Sequence, residues 1–291
     1  MSRIRSVVQV FRARPTLEGA GVRLKRAFGY DQVPLFDPFL MLDDFRSDEP
    51  DEYLPGFPWH PHRGIETVTY MLDGAVEHGD SLGNKGAITP GQVQWMTAGS
   101  GIVHQEMPKG IKGKMGGLQL WVNLPRSHKM MVPRYRDVRA EDIPTVEPDK
   151  GVQVKIIAGR IAGVEGPVRD IIDDIEYLDV SLTPGRRFEH LPKKGHAVLA
   201  YVLSGRGSFD LEQKSPVGSE QAVLFGDGDG LIIQAGDAPL RFILLGGAPL
   251  REPVAWGGPI VMNTDEELDQ AFREYRDGTF LRHSGDKRPG K

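Results

Sequence analysis

Short apolar runs, each closed by Gly, Pro, Asn or Asp, recur along the whole chain. The clearest are Glu66–Leu72, Gln92–Ala98 and Gly117–Asn123 in the first half, and Val152–Ala158, Tyr177–Leu182, Ala197–Leu203 and Leu240–Leu245 in the second. Runs of strand length with turn formers between them predict an all-β sandwich or barrel rather than βαβ units. Asp80–Gly86 and Pro90-Gly91 mark turns in the first half, and Ser204–Gly207 and Gly226–Gly230 mark them in the second. One helical signal stands out near the end. There Leu268, Ala271, Phe272 and Tyr275 recur at helical spacing behind Thr264, a predicted N-cap, and the acidic first turn Asp265-Glu266-Glu267, with Gly278 as the stop. The stripe reads as a packing face, and the tail from His283 to Lys291 as frayed.

Residues 139–150 carry two prolines and many charges between strand-like stretches. The expected division is therefore an N-terminal barrel over 1–138, a linker over 139–150 and a C-terminal barrel over 151–291. A chain of 291 residues has the length for two such cores. The halves also echo each other weakly. His60 and His62 lead into Glu66–Gly74, as His190 and His196 lead into Ala197–Gly205, but the HxH pair is lost in the second copy. His190 and His196 are accordingly read as surface or packing residues, and a second metal site is not expected.

With no cysteine, the chain has no disulfide framework, thiolate nucleophile, Cys-ligated zinc or iron–sulfur centre. Any catalytic metal must then be held by nitrogen and oxygen donors. A formal net charge of −4 gives no footprint for direct nucleic-acid binding. The basic clusters at Lys109, Lys112 and Lys114, and across Arg126, Lys129, Arg134, Arg136 and Arg139, are interrupted by Gly, Pro and acidic residues and read as solvated loops. No stretch approaches the ~20 apolar residues of a bilayer span, and the start shows no apolar secretory core. A cytoplasmic protein that does not engage membranes is expected.

One constellation carries chemistry. His60-Pro61-His62 and His104-Gln105-Glu106 are both i,i+2 pairs, and alternate residues of a strand point to one face. If the two strands lie side by side, four donors converge. Three neutral imidazoles and a carboxylate suit a divalent first-row ion, which in octahedral geometry keeps two positions for substrate or dioxygen. Pro61 cannot donate to a ladder, so the HPH strand is expected to start a sheet or lie at its edge. Glu66 lies four residues beyond His62 and keeps strand parity, so geometry alone leaves it open. His78 and Asp80 are expected to flank a hairpin, and His128 to sit in a basic loop. Trp95, Met96, Leu120 and Trp121 are candidates to wall a pocket for a flat aromatic molecule. Arg63 is either a holder of an anionic substrate or nearby carboxylate, or an outward ion pair.

Gly56, His60, His62, Glu66 and Gly74, followed by Gly91, Gly101 and His104, resemble the two motifs of a cupin. More narrowly, His60–Tyr70, Asp80–Gly86 and Gln94–Glu106, with Gly257–Asn263 before the terminal helix, resemble the pirin family. That resemblance implies a bicupin whose N-terminal barrel alone binds the metal, through His60, His62, His104 and Glu106, with Glu66 left out. It implies iron as Fe(II), with other first-row ions as alternatives, and a quercetinase-like dioxygenase that opens a flavonol heterocycle with O2. Glu106 then doubles as candidate general base for the flavonol 3-hydroxyl. The same resemblance implies a second reading: a metal- or redox-responsive regulator that binds a transcriptional or metabolic protein partner.

Overall fold

The computed structural model describes residues 3–169, 171–210 and 216–283. They form two units, and neither is a continuous stretch of chain: one takes residues 15–34, 39–140 and the segment from 250 onward, the other the first 14 residues, 35–38 and 141–249. Each unit contains a seven-stranded and a four-stranded sheet. In the first unit the large sheet runs Arg134–Val138, Val93–Thr97, Ile65–Asp73, Gly116–Asn123, Phe39–Asp44, Val22–Phe28 and Arg14–Glu18. Its small sheet runs Phe57–His62, Ile102–Lys109, Ala75–Asp80 and Lys85–Ile88. The inner faces meet, since the Thr69 hydroxyl of one sheet lies 3.2 Å from Glu106 Oε1 of the other. This is the closed two-sheet form that the turn-punctuated runs predict.

In the other unit the large sheet runs Val7–Arg12, Gln221–Phe225, Ala197–Ser204, Leu240–Gly247, Glu176–Leu182, Val152–Ala158 and Thr145–Asp149, and the small one Arg187–His190, Leu231–Ala235, Arg206–Ser208 and Val217–Gly218. The weak echo in sequence is thus a repeated topology. All seven predicted strands are present, within a residue or two at each end. Inside this barrel Phe188, Phe209, Phe242, Leu231 and Ile233 form a packed apolar core. The strand that occupies the place of Ile102–Lys109 is Leu231–Ala235, and it puts Leu231, Ile233 and Ala235 into that core.

The expected division at 139–150 does not describe this distribution. Thr145–Asp149 is itself a strand, paired with Val152–Ala158, and not a linker. Val7–Arg12 completes the sheet of the second barrel by pairing with Gln221–Phe225, while the segment beyond 250 joins the first unit. The first strand is taken up by the second barrel because a sheet edge is completed by hydrogen bonding, which is indifferent to sequence distance, whereas the segment beyond 250 is held by an isolated Arg63–Ile260 bridge and by packing on Val103.

The terminal helix spans Asp265–Asp277. Thr264 accepts from Glu267 N, the Glu267 side chain returns to the cap backbone, and Gly278 closes the last turn at φ 78°. No helix among the described residues is long and apolar enough to cross a membrane. His283 Nε2 lies 3.0 Å from Ser100 Oγ, and the tail of residues 284–291 lies outside the described residues.

Candidate metal centre

The HPH strand Phe57–His62 lies at the edge of its sheet, where Pro61 disturbs no ladder on its open side. Its neighbour Ile102–Lys109 sets His104 directly opposite His60 and Ile102 opposite His62. Gly64, at φ +77°, makes the turn that follows; a Cβ there would lie 1.9 Å from the Val261 carbonyl oxygen, so only glycine fits. The consequence is convergence. Ligand atoms of His60, His62 and His104 all fall within 4.8 Å of one another, and among the described residues this is the group of that kind.

Hydrogen bonding fixes which nitrogens face inward. His60 Nδ1 lies 2.8 Å from the Pro58 carbonyl and His62 Nδ1 3.1 Å from that of Pro259. A carbonyl only accepts, so both Nδ1 atoms carry the hydrogen, and in a neutral ring each Nε2 is a bare acceptor. Neutral rings are what the surroundings favour. Burial lowers the pKa of His60, and lowers those of His62 and His104 well below the usual range, with the neighbouring imidazoles adding to the effect.

Nε2 of His60 therefore faces Nε2 of His62 at 3.0 Å, acceptor against acceptor, and lies 2.9 Å from Nε2 of His104. Two lone pairs at that separation repel, whereas a shared cation makes the arrangement favourable. The spacing also fits one. Imidazole nitrogens at about 2.1 Å from an ion and at right angles to each other lie about 3.0 Å apart. Two of the three nitrogen pairs thus carry the spacing of neighbouring ligands on a first-row divalent ion.

Glu106 stands at the margin of this cluster, its Oε2 4.0 Å from His104 Nε2. Burial pushes its carboxyl up to about 7, against the lowering effect of the Thr69 hydroxyl. Glu66 is elsewhere. Gly64 breaks the strand between His62 and Ile65, so parity counted from His62 does not carry through, and Glu66 takes the face of its strand opposite Thr69, where it accepts from Thr97 at 2.6 Å. His78 and Asp80 flank a hairpin as expected: Tyr135 OH lies 2.6 Å from His78 Nδ1, and Asp80 accepts from Leu82 N and Asn84 N in the turn. In the other unit His190 pairs with Glu176 at 2.8 Å and His196 with Asp174 at 3.5 Å.

Beside the three histidines opens a cavity of about 710 Å³. Of the four expected wall residues only Trp121 lines it; Trp95 and Leu120 sit on the opposite strand face, paired in register through Val68, and Met96 packs behind Trp121. Sequence reading missed the rest of the wall. The ring centroids of His62 and Trp121 are 5.1 Å apart, those of Trp121 and Trp256 5.8 Å, and those of Trp256 and Tyr30 5.5 Å, making a run of aromatic faces from the histidines to the surface. Trp256 and Pro259 come from the segment after 250, nearly two hundred residues from His62. Pro259 acts through its main-chain carbonyl, which residue type cannot signal.

Arg63 does not hold a substrate. It is 1% exposed, pairs with Glu274 at 2.8 Å, donates to the Ser100 and Phe280 carbonyls at 2.7 and 2.9 Å, and stacks on the Phe280 ring at 4.2 Å. Its donors are spent on tying the terminal helix to the barrel. Lys129, expected in a solvated loop, is likewise buried and donates to the Gly64 carbonyl, Asn123 Oδ1 and the Val261 carbonyl.

Two barrels of cupin topology, one with a histidine cluster at its open cavity, define a bicupin. The Pirin family pattern matches residues 21–122 and the Pirin C-terminal cupin domain matches residues 177–281. The chain belongs to the pirin family. It is 40% identical over 270 residues to human pirin, covering 91% of this chain and 90% of the relative. It is 44% identical over 284 residues to a Pseudomonas aeruginosa protein provisionally named a quercetin 2,3-dioxygenase, covering 96% of this chain and 99% of that one. A crystal structure of quercetin 2,3-dioxygenase from Acinetobacter baumannii superposes with a TM-score of 0.87 at 31% identity, over 95% of this chain and 98% of the other.

Proposed function

We propose that this protein is a metal-dependent dioxygenase of the quercetinase type, acting with O2 on flavonol-like substrates that chelate through adjacent oxygens. His60, His62 and His104 would hold a divalent ion, Fe(II) in this reading, with Glu106 as fourth ligand. Such an ion supplies Lewis acidity toward an enolic oxygen and a place where an electron-rich ring meets dioxygen. The observation that carries the reading is the pair of acceptor nitrogens held face to face at 3.0 Å beside an aromatic-walled cavity.

The chain's own residues do the remaining work. Trp121 and Trp256 present faces against which a flat ring stacks, and their bulk excludes water from the reacting edge. Glu106, when released from the ion, would accept the 3-hydroxyl proton, and the Thr69 hydroxyl lies 3.2 Å from its Oε1. Relatives that bear the quercetin dioxygenase name support the substrate class.

The test is anaerobic reconstitution with Fe(II), then oxygen uptake and product analysis over a panel of flavonols. Metal-dependent turnover is expected, with loss of at least about a hundredfold in His60→Ala. In Glu106→Gln, metal is retained in part and turnover falls at matched occupancy; equal turnover there would remove Glu106 from proton transfer.

A second reading has its own observation. The His62–Pro259 hydrogen bond links the histidine cluster to the segment bearing the terminal helix, so the state of a bound ion can bias a surface element. Under this regulatory reading metal binds tightly without turnover, and capture of a protein partner depends on oxidation state.

A further inference from the structure

The register of the large sheet places Arg26 opposite Asp43, Asp43 opposite Gln119, and Gln119 opposite Thr69. Residues opposite one another in antiparallel strands share a face, so these four form a polar row across the inner wall. The row begins at Thr69, which touches Glu106, and ends three strand spacings away, on the order of 14 Å at about 4.8 Å per strand. Above it lie Trp121 and Met41, and below it Phe45 and Met71, so the row is a belt between apolar layers. All four members line the cavity.

The belt is rigid and holds donors in reserve. Arg26 spends Nε and Nη2 on Asp43, at 2.8 and 2.7 Å, and Nη2 again on Glu18 at 2.8 Å. Nη1, with two hydrogens, has no protein partner among the described residues. Burial alone lowers the guanidinium pKa, and Asp43 and Glu18 more than reverse the effect, so Arg26 stays charged. The one Thr69 hydroxyl hydrogen is shared, its nearer acceptor being Gln119 Oε1 at 2.5 Å and its farther one Glu106 Oε1 at 3.2 Å, which leaves the two hydrogens of Gln119 Nε2. Two carboxylates against one guanidinium leave the belt without net positive charge, which disfavours an anionic substituent. A hydroxyl suits it instead, because it accepts from Arg26 or Gln119 and donates to Glu18 or Asp43.

Building on the flavonol reading above, we propose that Gln119 and Arg26 are specificity-determining residues that recognise a hydroxyl on the substrate's ring remote from its chelating edge. A substrate anchored at the histidines and lying along Trp121 extends over this row. An unsubstituted ring would leave the belt's donors desolvated and unpaired, and discrimination comes from that cost more than from attraction.

The test is anaerobic binding to the Fe(II)-loaded full chain, read by quenching of tryptophan fluorescence, so that no turnover is needed. The probes are 3-hydroxyflavone and its analogue with a single hydroxyl at the para position of the pendant ring. Wild type is expected to prefer the hydroxylated probe by about tenfold. Gln119→Leu, and separately Arg26→Met/Asp43→Leu, which removes both halves of the ion pair and leaves no buried orphan charge, should bring that ratio toward one. Equal binding of the probes to wild type, or a preference that survives both variants, overturns the belt assignment while leaving the flavonol reading intact. Failure of both probes to bind overturns the two together.

Discussion

At the scale of single residues, Glu106 is the most exposed to test. A carboxyl whose native pKa, about 7, exceeds its unfolded value helps the fold only while protonated. Its contribution is complete below about 4.5 and is lost as pH rises through 7, a change on the order of 3 kcal/mol. The buried histidines have the opposite sign, since their lowered pKa values make the fold lose stability as pH falls below their ordinary range. Comparing wild type with Glu106→Gln cancels the histidines. In chelator-treated protein, urea unfolding should show wild type losing stability relative to the variant between pH 4.5 and 7.5; parallel curves would mean that the carboxyl is solvated. Metal loading should abolish the trend, because a bound ion replaces the proton.

At the scale of elements, the terminal helix is held by the buried Arg63 as well as by its apolar stripe. Arg63 and Glu274 have side chains 2% and 11% exposed. Arg63→Met leaves Glu274 with only Arg282 and Gln270, both on its Oε1, and removes the Arg63 donors to two carbonyls, and should cost about 3 kcal/mol in urea unfolding. Lys109→Ala, which removes a pair exposed on both sides, should cost well under about 1 kcal/mol. A similar small effect for both would make Arg63 a spectator. Because the segment before this helix carries Pro259, the Arg63 variant should also lose roughly tenfold in metal affinity in a chelator competition.

Across the whole molecule, the two barrels share a topology and differ in what fills them. One is closed by Phe188, Phe209 and Phe242, and the other keeps a cavity beside its histidines. Metal at about a thousand times its Kd stabilises the native state by roughly 4 kcal/mol. Hydrogen exchange should record that gain in Phe57–His62 and Ile102–Lys109 and leave Val152–Ala158 and Glu176–Leu182 unchanged. Equal protection of both sets would place the ion, or its influence, elsewhere.

Strands, the terminal helix with its Thr264 cap, and the His60, His62 and His104 cluster were all legible because each rests on a local period: two for a strand face, three to four for a helix, and i,i+2 for paired ligands. Arg63 was not, since a charged residue beside a ligand pair looks the same in sequence whether it turns toward the cavity or toward Glu274. Trp256, Pro259 and the row from Thr69 to Arg26 were invisible for a different reason. They meet only through cross-strand register and through a segment returning from beyond residue 250, and register is a property of paired strands rather than of either one. The sequence by itself thus determined the kind of elements and the donor atoms on offer. The tertiary structure alone decided which chain end completes which barrel, which nitrogens face one another, and which wall a substrate meets, because hydrogen bonding between strands and burial act on neighbours in space without regard to their distance along the chain.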